Sequence, residues 1–425
     1  MAYVLHVITR RIFSPAVVLA FAFSTLTLAT ATEAAPQAHA DTGAAAAPGA
    51  PMRVLPYDPE FPFGPDVSVE EATGMDMPPE AFTLACSQGP IGDVLLPDGT
   101  TQRIMVTAGH CVVGDTETGL LLGSDVYAPT RDGYERIGAT GMVHFQGGAP
   151  VNPLAIPETA MTTVDWGIVV LDDDTAVDGS ASSKDKANRN GSTPVTLTGV
   201  RDYRTLRPGE VSFDNFGQPI CKDGMIGARK CGYQLLYTAD NVWHVSLDYK
   251  HGDSGGVNFD PSTGQIIGVS SLGVGPLGTA QRADRAIELA YDVPDGQVND
   301  YFTPAAPNQP RAEFVSMDEE DNAVDSYILE NNPDVAPEDL VPPTNQEVFG
   351  MVVESAQQDA AVIGAEAQTL AAGSAVAVAT GQATVPEVAS AANEFATEVG
   401  TAATAYGNAL SNVGFQWALE ELGYE

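Results

Sequence analysis

Gly252-Asp253-Ser254-Gly255-Gly256 is the stretch whose reading decides the fold. Two other segments answer to it: Thr107-Ala108-Gly109-His110-Cys111 and Asp165-Trp166-Gly167-Ile168-Val169-Val170-Leu171. A serine is a weak nucleophile at neutral pH. It needs a neighbouring base to take its proton and a third group to orient that base. His110, Asp165 and Ser254 are of the types that fill these three roles, and they arrive in the order His, Asp, Ser. The same three groups recur on unrelated folds in other orders, so the order itself narrows the fold. His144, His244 and His251 compete for the role of base, but none sits in a comparable motif.

Outward from these motifs, the chain has 425 residues, which favours two or more units. Its net charge is -37, from 19 Lys and Arg against 56 Asp and Glu. Such a chain repels nucleic-acid phosphates and anionic membrane surfaces, so no nucleic-acid partner is expected. Residues 1–40 read as a secretion signal: Arg10 and Arg11, an apolar run from Pro15, and Ala38-His39-Ala40 as a small-x-small cleavage site. Arg10-Arg11 also has the look of a twin-arginine signal, though the general secretory route is favoured. Residues 41–80 are an Ala/Pro-rich N-terminal extension, read as a linker or an arm in preference to a propeptide.

From Ala81 the pattern turns to short β-type runs separated by Gly, Pro, Asn and Asp, such as Gln102–Val106, Thr193–Thr198 and Gln265–Ser271. Residues 291–343 read as an acidic, Pro-rich linker with a short ordered piece at Tyr327-Ile328-Leu329. Residues 344–425 read as an Ala-rich helical hairpin. Thr344-Asn345-Gln346-Glu347 and Thr384-Val385-Pro386-Glu387 have the form of capping boxes. Phe395, Val399, Ala402, Tyr406, Leu410, Val413 and Trp417 recur at helical spacing. Glu366 interrupts the most apolar part, so no membrane span is expected in the mature chain. The small residues suit packing of the helices on each other, on the rest of the chain, or on a protein partner.

Taken together, the three motifs resemble those of chymotrypsin-fold serine endopeptidases, in the secreted bacterial branch typified by streptogrisin and alpha-lytic protease. The resemblance covers roughly residues 81–290, about half of the chain. It implies an all-β double antiparallel β-barrel, chymotrypsin-like, here with the α-helical hairpin appended at the C-terminus. It implies a polypeptide substrate, hydrolysis through an acyl-enzyme, and no cofactor or metal. His110 would be the general base, Asp165 its orienting carboxylate and Ser254 the nucleophile. The backbone N–H groups of Gly252 and Ser254 would form the oxyanion hole, where losing one donor costs about 3–4 kcal/mol of transition-state stabilisation.

Other positions follow from the same resemblance. Asp253 would hold the oxyanion loop by pairing with Lys222, a lysine where the bacterial branch usually has arginine. Four cysteines allow three connectivities. The resemblance selects Cys86–Cys111 and Cys221–Cys231, and the lack of a CxxC pair argues against zinc. Disulfides fit a secreted, extracellular or envelope location. Asp248, six residues before Ser254, would select Arg or Lys before the cleaved bond in the animal register. Ser271, Leu272 and Gly273 would line the cleft and pair with substrate backbone. Leu272 replaces a more usual aromatic residue, and the bacterial pocket cysteine is missing. These departures sustain an alternative: a silent or zymogen-like envelope-associated binding protein that works through its C-terminal helices.

Overall fold

The computed structural model describes residues 43–421, apart from 63, 65–67, 114–119, 147–160, 162, 208, 308, 309, 381 and 383. The signal segment at 1–40 lies outside the described residues. The chain divides into two compact units, one ending at Val341 and the other running from Pro342.

The first unit is the expected chymotrypsin-like pair of antiparallel sheets. Seven early strands are β1 (Pro51–Pro56), β2 (Leu84–Ser87), β3 (Ile91–Leu95), β4 (Thr101–Thr107), β5 (Leu122–Thr130), β6 (Gly133–Gln146) and β7 (Val164–Leu171). A two-strand ladder, β8 (Ser180–Ala181) with β9 (Val195–Thr196), and a short β10 (Gly199–Val200) follow. The later strands are β11 (Pro219–Lys222), β12 (Lys230–Tyr237), β13 (Asn241–Val245), β14 (Val257–Phe259), β15 (Gln265–Val274), β16 (Leu277–Arg282) and β17 (Phe302–Pro304). The first sheet runs β17-β3-β4-β7-β6-β5-β1-β2. The second runs β10-β15-β14-β11-β12-β13-β16, and β15 also pairs with β16, which closes six of its strands into a barrel.

β7 shows why this sequence forms this fold. Its residues are apolar on both faces, as a strand buried on both sides requires. Trp166 and Ile168 join a core shared with Ile104, Val257, Phe259 and Val269 of both sheets. Val169 and Leu171 point the other way, into the first sheet's own core with Met52, Met105 and Ile137. The strand is thereby pinned in register, because a one-residue slip would exchange the two faces.

Residues 41–80, expected as a linker or an arm, supply β1, an interior strand of the first sheet between β5 and β2. Ahead of it Ala44, Ala45, Ala46 and Ala47 are 0% exposed. Gln88 holds this segment by accepting from Ala47 N at 2.7 Å and donating to Ala45 O at 3.0 Å. Residues 291–343 are not a plain linker either. β17 extends the first sheet by pairing with β3, so Phe302 is buried. A helix at Met317–Asn331, with a complete Ser316/Glu319 capping box, buries Ile328 against Met75, Met77, Phe82 and Leu340. The ordered piece expected at 327–329 is the end of that helix. In both segments the buried apolar residues pack against distant partners that local pattern does not reveal.

The second unit is a pair of helices, Asn345–Ala379 and Val385–Glu421. Both expected capping boxes form, with Glu347 N donating to Thr344 Oγ1 at 3.2 Å and Thr384 N donating to Glu387 at 2.7 Å. Phe349 packs against Trp417, and Tyr406 bonds both Ser355 and Asp359, as antiparallel helices require. Despite Glu366, the stretch Asn345–Ala377 is long and apolar enough to cross a bilayer by length and composition, with a window of mean hydropathy 1.2.

Candidate active site

β4 ends at Thr107 and delivers the chain to a single helical turn, His110–Val113. β7 pairs with β4 and begins one residue before Asp165, so the sheet register sets that carboxylate beside the turn. Asp165 Oδ1 accepts from His110 N at 2.8 Å, and its Oδ2 meets His110 Nδ1 at 2.8 Å. The two bonds fix both the backbone and the ring of His110. Ser271, on β15 of the other sheet, donates its hydroxyl to the same Oδ2 at 2.5 Å. Burial works against charge on the imidazole, but the Asp165 carboxylate outweighs it, and the His110 pKa ends above its ordinary value. Burial likewise opposes charge on Asp165, yet His110 and the hydrogen bonds leave its pKa below the ordinary value.

Ser254 stands on a loop between β13 and β14, half-buried. Its carbonyl accepts from Ser87 N at 2.8 Å, and Gly255 N donates to Ser270 O at 2.8 Å. These bonds tie the loop to strands of both sheets. Gly255 has φ +77° and lies so close to Thr107 and Ser87 that no side chain fits there. The loop is thus pressed against the segment that carries His110. No hydrogen bond joins Ser254 Oγ to His110 Nε2 among the described contacts. Such bonds are often long without substrate and tighten once it is bound.

Gly252 has φ +96°, and a Cβ there would lie 2.7 Å from Ile226 Cγ1. Its carbonyl accepts from Ser87 Oγ at 2.7 Å. Among the described residues, neither Gly252 N–H nor Ser254 N–H has an acceptor, whereas the intervening Asp253 N–H donates to Lys250 O at 2.9 Å. Both residues are partly exposed, so the two N–H groups are open to a ligand or to water.

The side chain of Asp253 is wholly buried and ion-paired with Lys222, which is equally buried. It also accepts from Ile226 N at 3.1 Å, Gly227 N at 2.9 Å and Lys250 N at 3.0 Å. Burial pulls the Lys222 pKa below its ordinary value, and Asp253 restores only part of the shift. Cys86–Cys111 and Cys221–Cys231 are both disulfide-bonded, the second across facing positions of β11 and β12. His110, Cys86 and Cys111 bring ligand-type atoms within 4.8 Å of one another, but both sulfurs are spent in the disulfide and offer no thiolate to a metal.

Asp248, expected to select Arg or Lys, lies on the run that leads into Ser254. Its side chain is 41% exposed, and its nearest cation is Lys250 Nζ at 3.4 Å. Of the cleft-lining trio, Ser271 turns its hydroxyl to Asp165, while Leu272 and Gly273 continue β15. Ser87 escaped the sequence reading, although it follows Cys86 directly. Its hydroxyl joins Gly252 O to Met225 N, bracing the glycine loop.

No protein-family model matches the sequence, and no curated protein does. Solved structures similar to the chain include chymotrypsin-fold bacterial serine proteases. Protease A of Thermobifida fusca is 19% identical, covering 57% of this chain and 96% of its own, with a TM-score of 0.33. The Nocardiopsis protease is 18% identical, covering 48% and 90%, with a TM-score of 0.30. The Cellulomonas bogoriensis chymotrypsin is 18% identical, covering 48% and 87%, also with a TM-score of 0.30. The chemistry of the site follows from its own residues.

Proposed function

We propose that this chain is a serine endopeptidase that acts outside the cytoplasm, where its two disulfides stay oxidised. The observation that carries this reading is the pair of backbone donors without acceptors at Gly252 and Ser254, on the loop that bears the serine. In the proposed mechanism His110 takes the Ser254 proton as the hydroxyl attacks a peptide carbonyl. Asp165 holds the Nδ1–H tautomer and stabilises the imidazolium. The carbonyl oxygen becomes an oxyanion between the two free N–H groups, which need no reorganisation to receive it. His110 then passes the proton to the leaving amine, and water repeats the sequence on the acyl-enzyme. Asp253, anchored by Lys222 and three backbone donors, keeps the loop in this shape.

The latent-protein reading draws on one observation, the absence of a Ser254–His110 hydrogen bond. Labelling of the full secreted chain with a fluorophosphonate probe separates the two. Covalent labelling of wild type and none of Ser254→Ala is expected. Failure of the wild type to label would transfer the conclusion to the latent protein.

A further inference from the structure

Gly273 on β15 and Gly278 on β16 are direct partners in the β15–β16 ladder. Residues directly opposite in an antiparallel pair present the same face. Two glycines there leave an open space on that face. The space is occupied by the chain itself. A Cβ at Gly273 would lie 2.8 Å from Cβ and 3.2 Å from Cδ2 of Tyr249, and a Cβ at Gly278 would lie 2.5 Å from Cε1 of His244. The two rings pack edge-on, with centroids 4.9 Å apart, and His244 Nε2 meets the Tyr249 hydroxyl at 2.8 Å.

The pair is anchored firmly. Tyr249 Oη donates to Asn258 Oδ1 at 2.8 Å, and Asn258 Nδ2 donates to Ser270 Oγ at 2.9 Å and Gly256 O at 3.2 Å. With Tyr249 donating to Asn258, His244 must carry its proton on Nε2, which leaves Nδ1 as the acceptor without a partner. Burial holds the His244 pKa down to about 3, so the ring stays neutral.

If a substrate strand pairs with Ser271–Gly273 and sets its carbonyl at Ser254, the side chain of its reacting residue would lie between two segments. One is Gly273 and its neighbours, and the other is the 248–252 run that leads into Ser254. Tyr249 closes that gap. We infer that Tyr249, backed by His244, fills the primary side-chain recess and restricts cleavage to bonds after small residues such as glycine, alanine and serine. The inference rests on the endopeptidase reading and replaces the Arg/Lys preference expected from Asp248. A long cationic side chain has neither room beside Tyr249 nor a buried carboxylate to meet, since Asp248 already faces Lys250.

The test is a set of peptide amides differing only in the residue before the cleaved bond, offered to the full chain alongside fluorophosphonate labelling. Wild type is expected to hydrolyse the alanine substrate about 100-fold faster in kcat/KM than those with phenylalanine or arginine, the scale at which a filled pocket discriminates. Tyr249→Ala should raise phenylalanine cleavage at least about tenfold while Ser254 still labels, and Tyr249→Phe should keep the wild-type preference because ring volume decides it. Labelled wild type that prefers arginine or phenylalanine would overturn the inference without touching the endopeptidase reading. Unlabelled wild type would overturn both. The wild-type profile decides the matter even if Tyr249→Ala misfolds.

Discussion

His110–Asp165 and Lys222–Asp253 are both acid–base pairs removed from bulk water, yet their cations respond in opposite senses. The His110 pKa is raised by its carboxylate, whereas the Lys222 pKa is lowered by burial that its carboxylate does not fully offset. At His110 the attraction and hydrogen bond of its carboxylate outweigh the cost of burial, and at Lys222 they do not. The His110 side chain keeps 31% of its surface open, while Lys222 keeps none. In the proposed mechanism His110 gains and loses a proton in each turnover, which suits a rim that substrate can reach. A pair that only holds a loop in shape is sealed, and its carboxylate is shared among three backbone N–H groups.

The contrast breaks most sharply at Asp165. Asp165→Asn should lower kcat/KM about 10⁴-fold by favouring the wrong His110 tautomer. Stability should be unchanged, and single-turnover assays with thermal melts check activity and stability. Lys222→Met comes next. It strands a fully buried carboxylate, and removing one partner of such a pair costs about 3–5 kcal/mol. The effect should appear as a lower denaturant midpoint together with lost activity. A variant as stable as wild type would mean that the backbone donors alone suffice for Asp253.

Ser271→Ala removes a 2.5 Å bond to Asp165 but leaves both His110 contacts in place. About a tenfold loss in kcat is expected, near 1.4 kcal/mol, at the low end for a hydrogen bond to a charged group. The smallest effects lie in the pH profile. Catalysis needs neutral His110, so a raised pKa puts the acid limb of kcat/KM above the ordinary histidine value. In Asp165→Asn the raising contributions vanish and burial remains, so the residual acid limb should fall below that value. At high pH wild type should lose activity as Lys222 sheds its proton and Asp253 loses its counter-charge. Lys222→Arg should abolish that alkaline limb, because guanidinium does not titrate there. An unchanged alkaline limb would remove Lys222 as its cause.

Legibility in the sequence followed the range of the forces involved. Thr344/Glu347 and Thr384/Glu387 were readable because a capping box is closed within four residues. β7 was readable because both of its faces are apolar in plain sequence. Ala44–Ala47 was not, although it is as buried as any core strand. Its small side chains carry no periodicity, and its hydrogen-bond partners, among them Gln88, Ala176 and Pro310, lie more than 40 residues away. Alanine in the C-terminal helices announces itself by helix length and caps, while alanine in the N-terminal segment takes its conformation from distant neighbours.

By itself the sequence determined the His, Asp and Ser motifs, their order, the strand–turn alternation around them and the capped helices. Each depends on residue types at short, fixed spacing. Tertiary structure alone decided that Pro51–Pro56 is an interior strand, that the expected Lys222–Asp253 pair is wholly sealed from water, and that the space left by Gly273 and Gly278 belongs to Tyr249 and His244. These outcomes depend on which distant strands meet and in what register, and on how much water the meeting excludes. No local spacing encodes either quantity.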